Sequence, residues 1–321
     1  MTATKYITFG LTVLAIVSLL GWLGRLPTQS AADNDVATTT QASDAFRIGL
    51  VPERDIFTQR QRYANLTTYL STRLNRPVEI VTLRSYRDVL QEFREKRIEA
   101  AFLGSLITVI AMDQRDGIII ARPERAGQVS TYHGVIFVPE DSPIRSVEEL
   151  SGRSIAMVPT TTGANLFPIA EFVKRKMTDA SMPHAVFAGT HDDVILEVVD
   201  GHADAGAVKD LRLDGYEKEH PAKHFRRLAT SEALPENALV ARADLPVALV
   251  AQLRSLMLGM NATEAGRLAL DRFGAVRFIP CDVQNYRAIY QMIEQVGPAW
   301  DRVDPAHRAP RFPELSSNAE H

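Results

Sequence analysis

The chain has 321 residues, 45% of them hydrophobic and 23% charged, with a net charge of −3. That length accommodates two domains, each able to bury a core, and the mild negative balance, with no basic stripe interleaved with aromatics, excludes a nucleic-acid surface. Cys281 is the only cysteine, which excludes an internal disulfide, a cysteine-based metal knuckle and a lipid-modified N-terminal cysteine. It is read as a small buried apolar residue, and no cofactor or metal is expected.

Tyr6–Gly24 is almost wholly apolar, flanked by Lys5 and Arg25, and is the one segment of membrane grade. Two readings stand. A cleavable secretory signal would use a small-residue site such as Ser30-Ala31-Ala32, and an uncleaved anchor fits the length. Either sends the rest of the chain across the membrane. Gln29–Ser43 is polar and without period, a flexible tether.

From Phe46 onward, short apolar runs alternate with helical periods. Strands are predicted at Phe46–Val51, Val78–Leu83, Ala100–Leu103 and Gly117–Ala121. Helices are predicted over Gln59–Asn75, around Tyr86–Phe93, and over Leu106–Met112. This alternation predicts a parallel sheet covered on both faces, with any ligand beyond the carboxyl ends of its strands. The turns at Val51-Pro52, Arg84–Tyr86 and Gly104-Ser105 then share one rim. Ser105 either caps its helix or offers N–H groups to an anion.

The pattern repeats in the second half. Strands are predicted at Gly134–Val138, Ser154–Val158, Ala185–Phe187 and Ala203–Val208, with a short helix at Ser146–Leu150. Thr190 and Asp193 form a capping box for a helix that Gly201 ends, and Lys209-Asp210 lies at a strand's carboxyl end. Arg227–Ala229 and Ala238–Ala241 are expected to bring the chain back. Asp244-Leu245-Pro246 starts a helix with Pro near its first position. The closing helices, one of them lined by Tyr286, Ile289, Tyr290 and Ile293, are expected to pack on the first lobe. Asp304–His321 is polar and Pro-rich, a loose tail.

The chain is organised around Val158–Pro168, read Val-Pro-Thr-Thr-Thr-Gly-Ala-Asn-Leu-Phe-Pro. A strand that becomes a helix through Thr-Thr-Thr-Gly leaves free backbone N–H groups beside short hydroxyls. That suits a tetrahedral oxyanion; N-capping by threonine is the plainer alternative. Pro168 tolerates only the first turn, so the helix starts near Asn165 or its first turn is kinked. His191, at a helix N-terminus, either donates to an anion or is a surface residue of the first turn. Tyr86 is either core or cleft, and His133 either cleft or hinge. No arginine is pinned to the cleft, so neutralisation is expected from helix dipoles and neutral donors.

Enzyme motifs are missing: there is no G-x-S-x-G, H-E-x-x-H, P-loop or G-x-G-x-x-G. No spacing supports a triad of His191, Asp210 and Thr161. The chain is read as a non-enzyme.

Four stretches, in this order, carry a resemblance to a known family: Ala101–Ser105, Thr131–Val135, Val158–Pro168, and Phe187–Asp193 followed by Asp204–Val208. Together they resemble the substrate-binding proteins of phosphonate, phosphite and phosphate ABC transporters, class II periplasmic binding proteins. The resemblance runs from about Phe46 to Gly297. It implies a two-lobed α/β clamp, each lobe a mostly parallel sheet flanked by helices. The corresponding division is 1–26 signal or anchor, 27–45 tether, 46–130 first lobe, 131–237 second lobe, 238–300 return to the first lobe and 301–321 polar tail.

The family grips a phosphonate head with a Ser-Thr-Ser turn, which falls on Thr161, Thr162 and Gly163, with Thr160 beside it. Its cleft histidine falls on His191, and a first-lobe tyrosine on Tyr86. A second tyrosine is replaced by Thr108 and a proline by Ser105. The acidic residue after the Asp-Ala-Gly-Ala strand falls on Asp210, with a one-residue slip, and a later aspartate on Asn237. Thr131 and His133 complete the implied site. These departures keep the oxyanion turn and weaken the groups that would bind an amino substituent. A bare phosphate, phosphite or methylphosphonate is therefore expected over an aminoalkylphosphonate. The implied partners are a small oxyanion and an ABC importer permease, with the protein a periplasmic monomer, held at the inner membrane if residues 6–24 stay. The alternative is a tethered sensing module for a receptor kinase or cyclase, in which the membrane sensor is the partner.

Overall fold

The computed structural model describes residues 45–51, 56–306 and 309–311. Tyr6–Gly24, the tether over Gln29–Ser43, Pro52 and residues 312–321 lie outside the described residues. Among those described, no helix is long and apolar enough to cross a membrane.

Two sheets organise the chain. The first, six-stranded, runs β13-β4-β12-β3-β1-β2, where β1 is Phe46–Leu50, β2 Val78–Thr82, β3 Ala100–Leu103, β4 Gly117–Glu124, β12 Ala238–Arg242 and β13 Arg277–Ile279. β1 pairs parallel with β2 and β3, while β12 is antiparallel to both β3 and β4. β1 to β4 thus share one direction, and the returning strand enters against them. The second, five-stranded sheet runs β10-β6-β9-β7-β8, where β6 is Gly134–Pro139, β7 Ser154–Met157, β8 His184–Phe187, β9 Ala205–Lys209 and β10 Phe225–Thr230. Here the arriving strand β6 is the reversed one. Each sheet is therefore mixed: an α/β lobe with one shared strand direction, opposed by strands that belong to the crossings and the closing segment.

The crossings form a two-stranded ribbon of β5 (Thr131–Tyr132) against β11 (Leu234–Pro235). The Ser231 carbonyl accepts from Gly134's side of the ribbon through His133 Nδ1 at 2.8 Å, and Ser231 Oγ accepts from Gly134 N–H at 2.8 Å. Arg125 Nη2 donates to the Thr131 carbonyl at 2.7 Å at the other end. The crossing into the second sheet passes through a 3-10 turn at Ala126–Gln128 before β5, and the return runs through β11.

Helices cover both sheets. α1 (Ile56–Leu74) buries Tyr63, Leu66 and Leu70 against the first sheet. Tyr63 meets Phe273 of α8 (Glu264–Phe273) edge-on, with ring centroids 5.2 Å apart. α2 is Asp88–Arg94, α3 Ser105–Asp113, α4 Phe167–Lys174, α5 His191–Val199, α6 Asp210–Glu219, α7 Val247–Leu258 and α9 Arg287–Val296.

Several expectations need correction. The segment around Arg227–Ala229 does not return to the first lobe. It extends to Phe225–Thr230 and closes the edge of the second sheet, antiparallel to β6. β13 was not expected; its three residues, Arg277–Ile279, are too few to show a period, and it exists by pairing with β4. α7 and α8 do pack on the first lobe, but α9 packs against α4 of the second lobe as well as α3 of the first, and Gln295 Nε2 donates to the Ala170 carbonyl at 2.9 Å. Asp304, expected to begin a loose tail, is packed. Trp300, Val303 and Asp304 are buried, and Asp304 sits 3.3 Å from Arg87 of the first lobe. Cys281 is half-buried, its thiol donating to the Tyr286 hydroxyl at 3.6 Å.

Candidate anion site

The site begins with the turn after β7. Thr160 takes φ = 57°, a left-handed conformation that a β-branched residue rarely adopts. Its N–H is held by Asn165 Oδ1 at 3.2 Å. Thr161 is extended and caps a single π-turn over Thr162–Leu166, which runs into α4 with Pro168 in its first turn. Of the two starts expected from Pro168, a helix beginning near Asn165 or a kinked first turn, the structure has a π-turn leading into a helix at Phe167, a form frequent at functional sites. None of the N–H groups of Thr161, Thr162 and Gly163 donates to another described backbone group. These are the orphan donors of a helix start.

Two glycines seat this turn on the sheet. A Cβ on Gly134 would lie 3.0 Å from Gly163 Cα and 3.1 Å from its carbonyl oxygen, and a Cβ on Gly163 would lie 3.2 Å from the Tyr132 ring. The turn therefore rests directly on β6 and on Tyr132. From the first lobe, Gly104 caps α3 without a side chain, and the Leu106 N–H donates to Thr162 Oγ1 at 2.9 Å. A third helix start, at α5, is fixed by the reciprocal capping box of Thr190 and Asp193 and places His191, 1% exposed, at its first position.

These three helix starts converge on one cavity of about 10 Å³, lined by Tyr86, Gly104, Leu106, Tyr132, Thr160–Gly163, His191, Lys209 and Asn237. That is room for about one water, so the two lobes are closed upon each other. No carboxylate lines it, and the N-terminal partial charges of all three helices favour an anion.

The structure thus brings Tyr86, Thr160, Thr161, Thr162, Gly163, His191 and Asn237 together and leaves five expected residues outside. Ser105 Oγ donates to the Pro235 carbonyl at 2.7 Å, tying α3 to the ribbon. Thr108 lies one helical turn deeper, its hydroxyl bonded back to the Gly104 carbonyl at 3.0 Å. Thr131 and His133 belong to the ribbon, held by the bonds given above. Asp210 turns away: its carboxylate accepts from the Leu211 N–H at 2.8 Å. Even within the cavity, the Thr161 hydroxyl donates to the Val158 carbonyl at 2.7 Å, so Thr161 shapes the loop.

Besides the helix dipoles and neutral donors expected, a cation lines the cavity. Lys209, the last residue of β9 and 5% exposed, reaches into the cavity. Its ammonium donates to Asn237 Oδ1 at 2.8 Å, lies 3.3 Å from a Glu236 oxygen and stands 4.6 Å from the Tyr132 ring centroid. Burial raises the Tyr132 phenol above its ordinary range, against the pull of Lys209 and of hydrogen bonds with Thr162 and Ser105. The alternation of strand side chains puts residue 209 inward and ends before residue 210, which starts a helix. The one-residue slip was the available signal. Among the described residues no group of His, Cys, Asp and Glu could hold a metal ion.

A model of the family described as "ABC transporter, phosphonate, periplasmic substrate-binding protein" matches residues 48–286. The chain is 23% identical over 201 residues to the phosphonates-binding periplasmic protein of Escherichia coli K12, covering 60% of this chain and 59% of that one. It is 24% identical over 200 residues to the phosphate-import protein PhnD of Mycolicibacterium smegmatis, covering 58% and 61%. It thus spans about three-fifths of the length of these two relatives. The structure of PhnD1 from Prochlorococcus marinus in complex with methylphosphonate superposes with a TM-score of 0.69 at 21% identity, over 81% of this chain and 99% of that one. At that identity the likeness is one of fold.

Proposed function

Since the chain belongs to the periplasmic substrate-binding proteins of phosphonate ABC transporters, we propose that it captures a small phosphorus oxyanion outside the cytoplasm and delivers it to an ABC importer. The family is one of transport components, and no reaction is assigned to the chain. The observation that carries the reading is the convergence of three helix N-termini and the Lys209 ammonium on a cavity with no carboxylate. Thr161–Gly163 hold the oxyanion through backbone N–H groups and the Thr162 hydroxyl, with Thr160 shaping the turn, His191 and Lys209 complete its shell, and Leu106 donates from the facing lobe. Residues 46–130 and 238–300 make one jaw and 131–237 the other, and residues 1–26 carry the chain across the membrane as a signal or an anchor.

A cavity of about 10 Å³ is smaller than a tetrahedral oxyanion. Entry therefore requires the jaws to part at the ribbon, and the guest replaces the Leu106–Thr162 bond on reclosing. Lys209 stands where an acidic partner would be needed for a ligand ammonium. Phosphate, phosphite and methylphosphonate are therefore favoured over 2-aminoethylphosphonate.

Isothermal titration calorimetry with these four compounds tests the reading. Binding of at least one of the first three, tighter than aminoethylphosphonate by about tenfold, roughly 1.4 kcal/mol, is expected. Preference for aminoethylphosphonate, or no binding of any of the four, overturns it.

A further inference from the structure

A second cavity, of about 500 Å³, adjoins the anion site, and Lys209 lines both. Among the described residues that line it, four arginines, Arg62, Arg125, Arg212 and Arg272, share this chamber with Lys209 and one acidic residue, Glu236, and Lys209 and Arg212 are each engaged with a further partner. Glu236 lies 3.3 Å from Lys209 and 3.8 Å from Arg125, so one negative charge is divided between two cations. Arg62 is fixed from below: its Nε donates to the Phe273 carbonyl at 2.6 Å and its guanidinium lies 4.6 Å over the Phe273 ring. Arg272, in the last turn of α8, is exposed and makes no ion pair among the described residues.

Cations gathered around one concavity repel each other and focus a positive potential into it, a cost that an entering anion relieves. A phosphorus head held by the threonine turn would leave this chamber unused, and 500 Å³ is the size of an organic ligand site. The chamber's walls come from α1 and α8 of the first lobe, from β9 and α6 of the second, and from the ribbon flanks at Arg125 and Glu236. A group bound there is gripped only when the jaws close.

We infer that this chamber is a second anion subsite: the ligand carries, besides its phosphorus head at Thr160–Gly163, a second anionic group, carboxylate or phosphoryl, directed at Arg62 and Arg272. This rests on the oxyanion reading above and narrows it to two-headed anions.

The test is calorimetry on the full chain with methylphosphonate, phosphonoacetate and methylenebisphosphonate, the last two separating carboxylate from phosphoryl. At least one two-headed compound binds tenfold or more tighter than methylphosphonate, or binds where methylphosphonate does not. Arg272→Gln, at an exposed position that leaves the core intact, reduces the ratio of the two affinities threefold or more, and Arg62→Gln does so as well. If methylphosphonate binds and neither two-headed compound binds tighter, or if neither substitution moves the ratio, the subsite is refuted while the oxyanion reading stands. If none of the three compounds binds, the oxyanion reading fails and takes the subsite with it.

Discussion

The Leu106–Thr162 hydrogen bond joins the first lobe to the threonine turn of the second, and removing it, together with the Tyr132 bond to the same hydroxyl, perturbs closure. Thr162→Val keeps the side-chain shape and deletes the oxygen that accepts the Leu106 N–H at 2.9 Å. Leu106 is fully buried, and Gly104, which caps its helix, has no side chain to offer a substitute acceptor. A buried N–H left without a partner costs about 1–3 kcal/mol. The penalty falls on the closed form alone, because in the open form water reaches the helix start. The closed-to-open ratio of the ligand-free protein should therefore fall by about 5- to 150-fold. Hydrogen exchange of the peptide spanning residues 104–110, measured by mass spectrometry, reads that ratio through the protection of the Leu106 amide. Thr162→Ser, which restores the oxygen, should recover most of the protection. Exchange in the Val variant equal to that of the parent chain would refute both the contact and the closure argument built on it.

Lys209→Met removes the one buried cation of the small cavity and its hydrogen bond to Asn237. Oxyanion affinity should drop by about 1.5–3 kcal/mol, as for a hydrogen bond to a charged group, and binding should lose part of its salt dependence; calorimetry at two ionic strengths checks both. Gly134→Ala forces a methyl against the Gly163 backbone at 3.0 and 3.1 Å. Since neither strand nor turn can yield as a flexible side chain would, a loss of about 1–3 kcal/mol is expected in urea unfolding, together with weaker oxyanion binding. Asp204 accepts from the Ser154 N–H and hydroxyl, each at 2.8 Å, and these bonds hold its carboxyl below the usual range. A depressed carboxyl stabilises the fold above its unfolded pKa, and that stability is lost as pH falls through the folded value. Asp204→Asn should therefore lower stability at pH 7 and flatten its decline below about pH 4; a decline as steep as that of the parent chain would count against the linkage.

Much of the architecture was readable because its causes are local. Strand and helix periods along residues 46–300, the capping box at Thr190 and Asp193, and the kinked start at Pro168 all depend on neighbours a few residues apart. The same holds for the threonine turn, whose orphan N–H groups follow from a strand leading into a helix. Composition, with one cysteine and no basic stripe, removed whole classes of function without any structure.

What stayed hidden depends on which distant segments meet. Ser105 was expected in the cleft because it begins a helix at the right rim, and Thr108 because the family resemblance placed a tyrosine there; but the rim also meets Pro235, which takes the Ser105 hydroxyl, and Thr108 bonds back to Gly104. Lys209 was one residue from the expected position, and only the pairing of β9 between β6 and β7 decides that 209, not 210, faces the cavity. β13 exists through its edge partner, and the C-terminal helix bridges both lobes because its apolar face meets α3 on one side and α4 on the other. The sequence by itself thus determined the two α/β lobes and the threonine turn with its orphan backbone donors, since propensity, capping and backbone donors act within a few residues. Only the tertiary structure decided which cation lines the small cavity and what chamber stands beside it, because burial and charge proximity arise between residues brought together from across the chain.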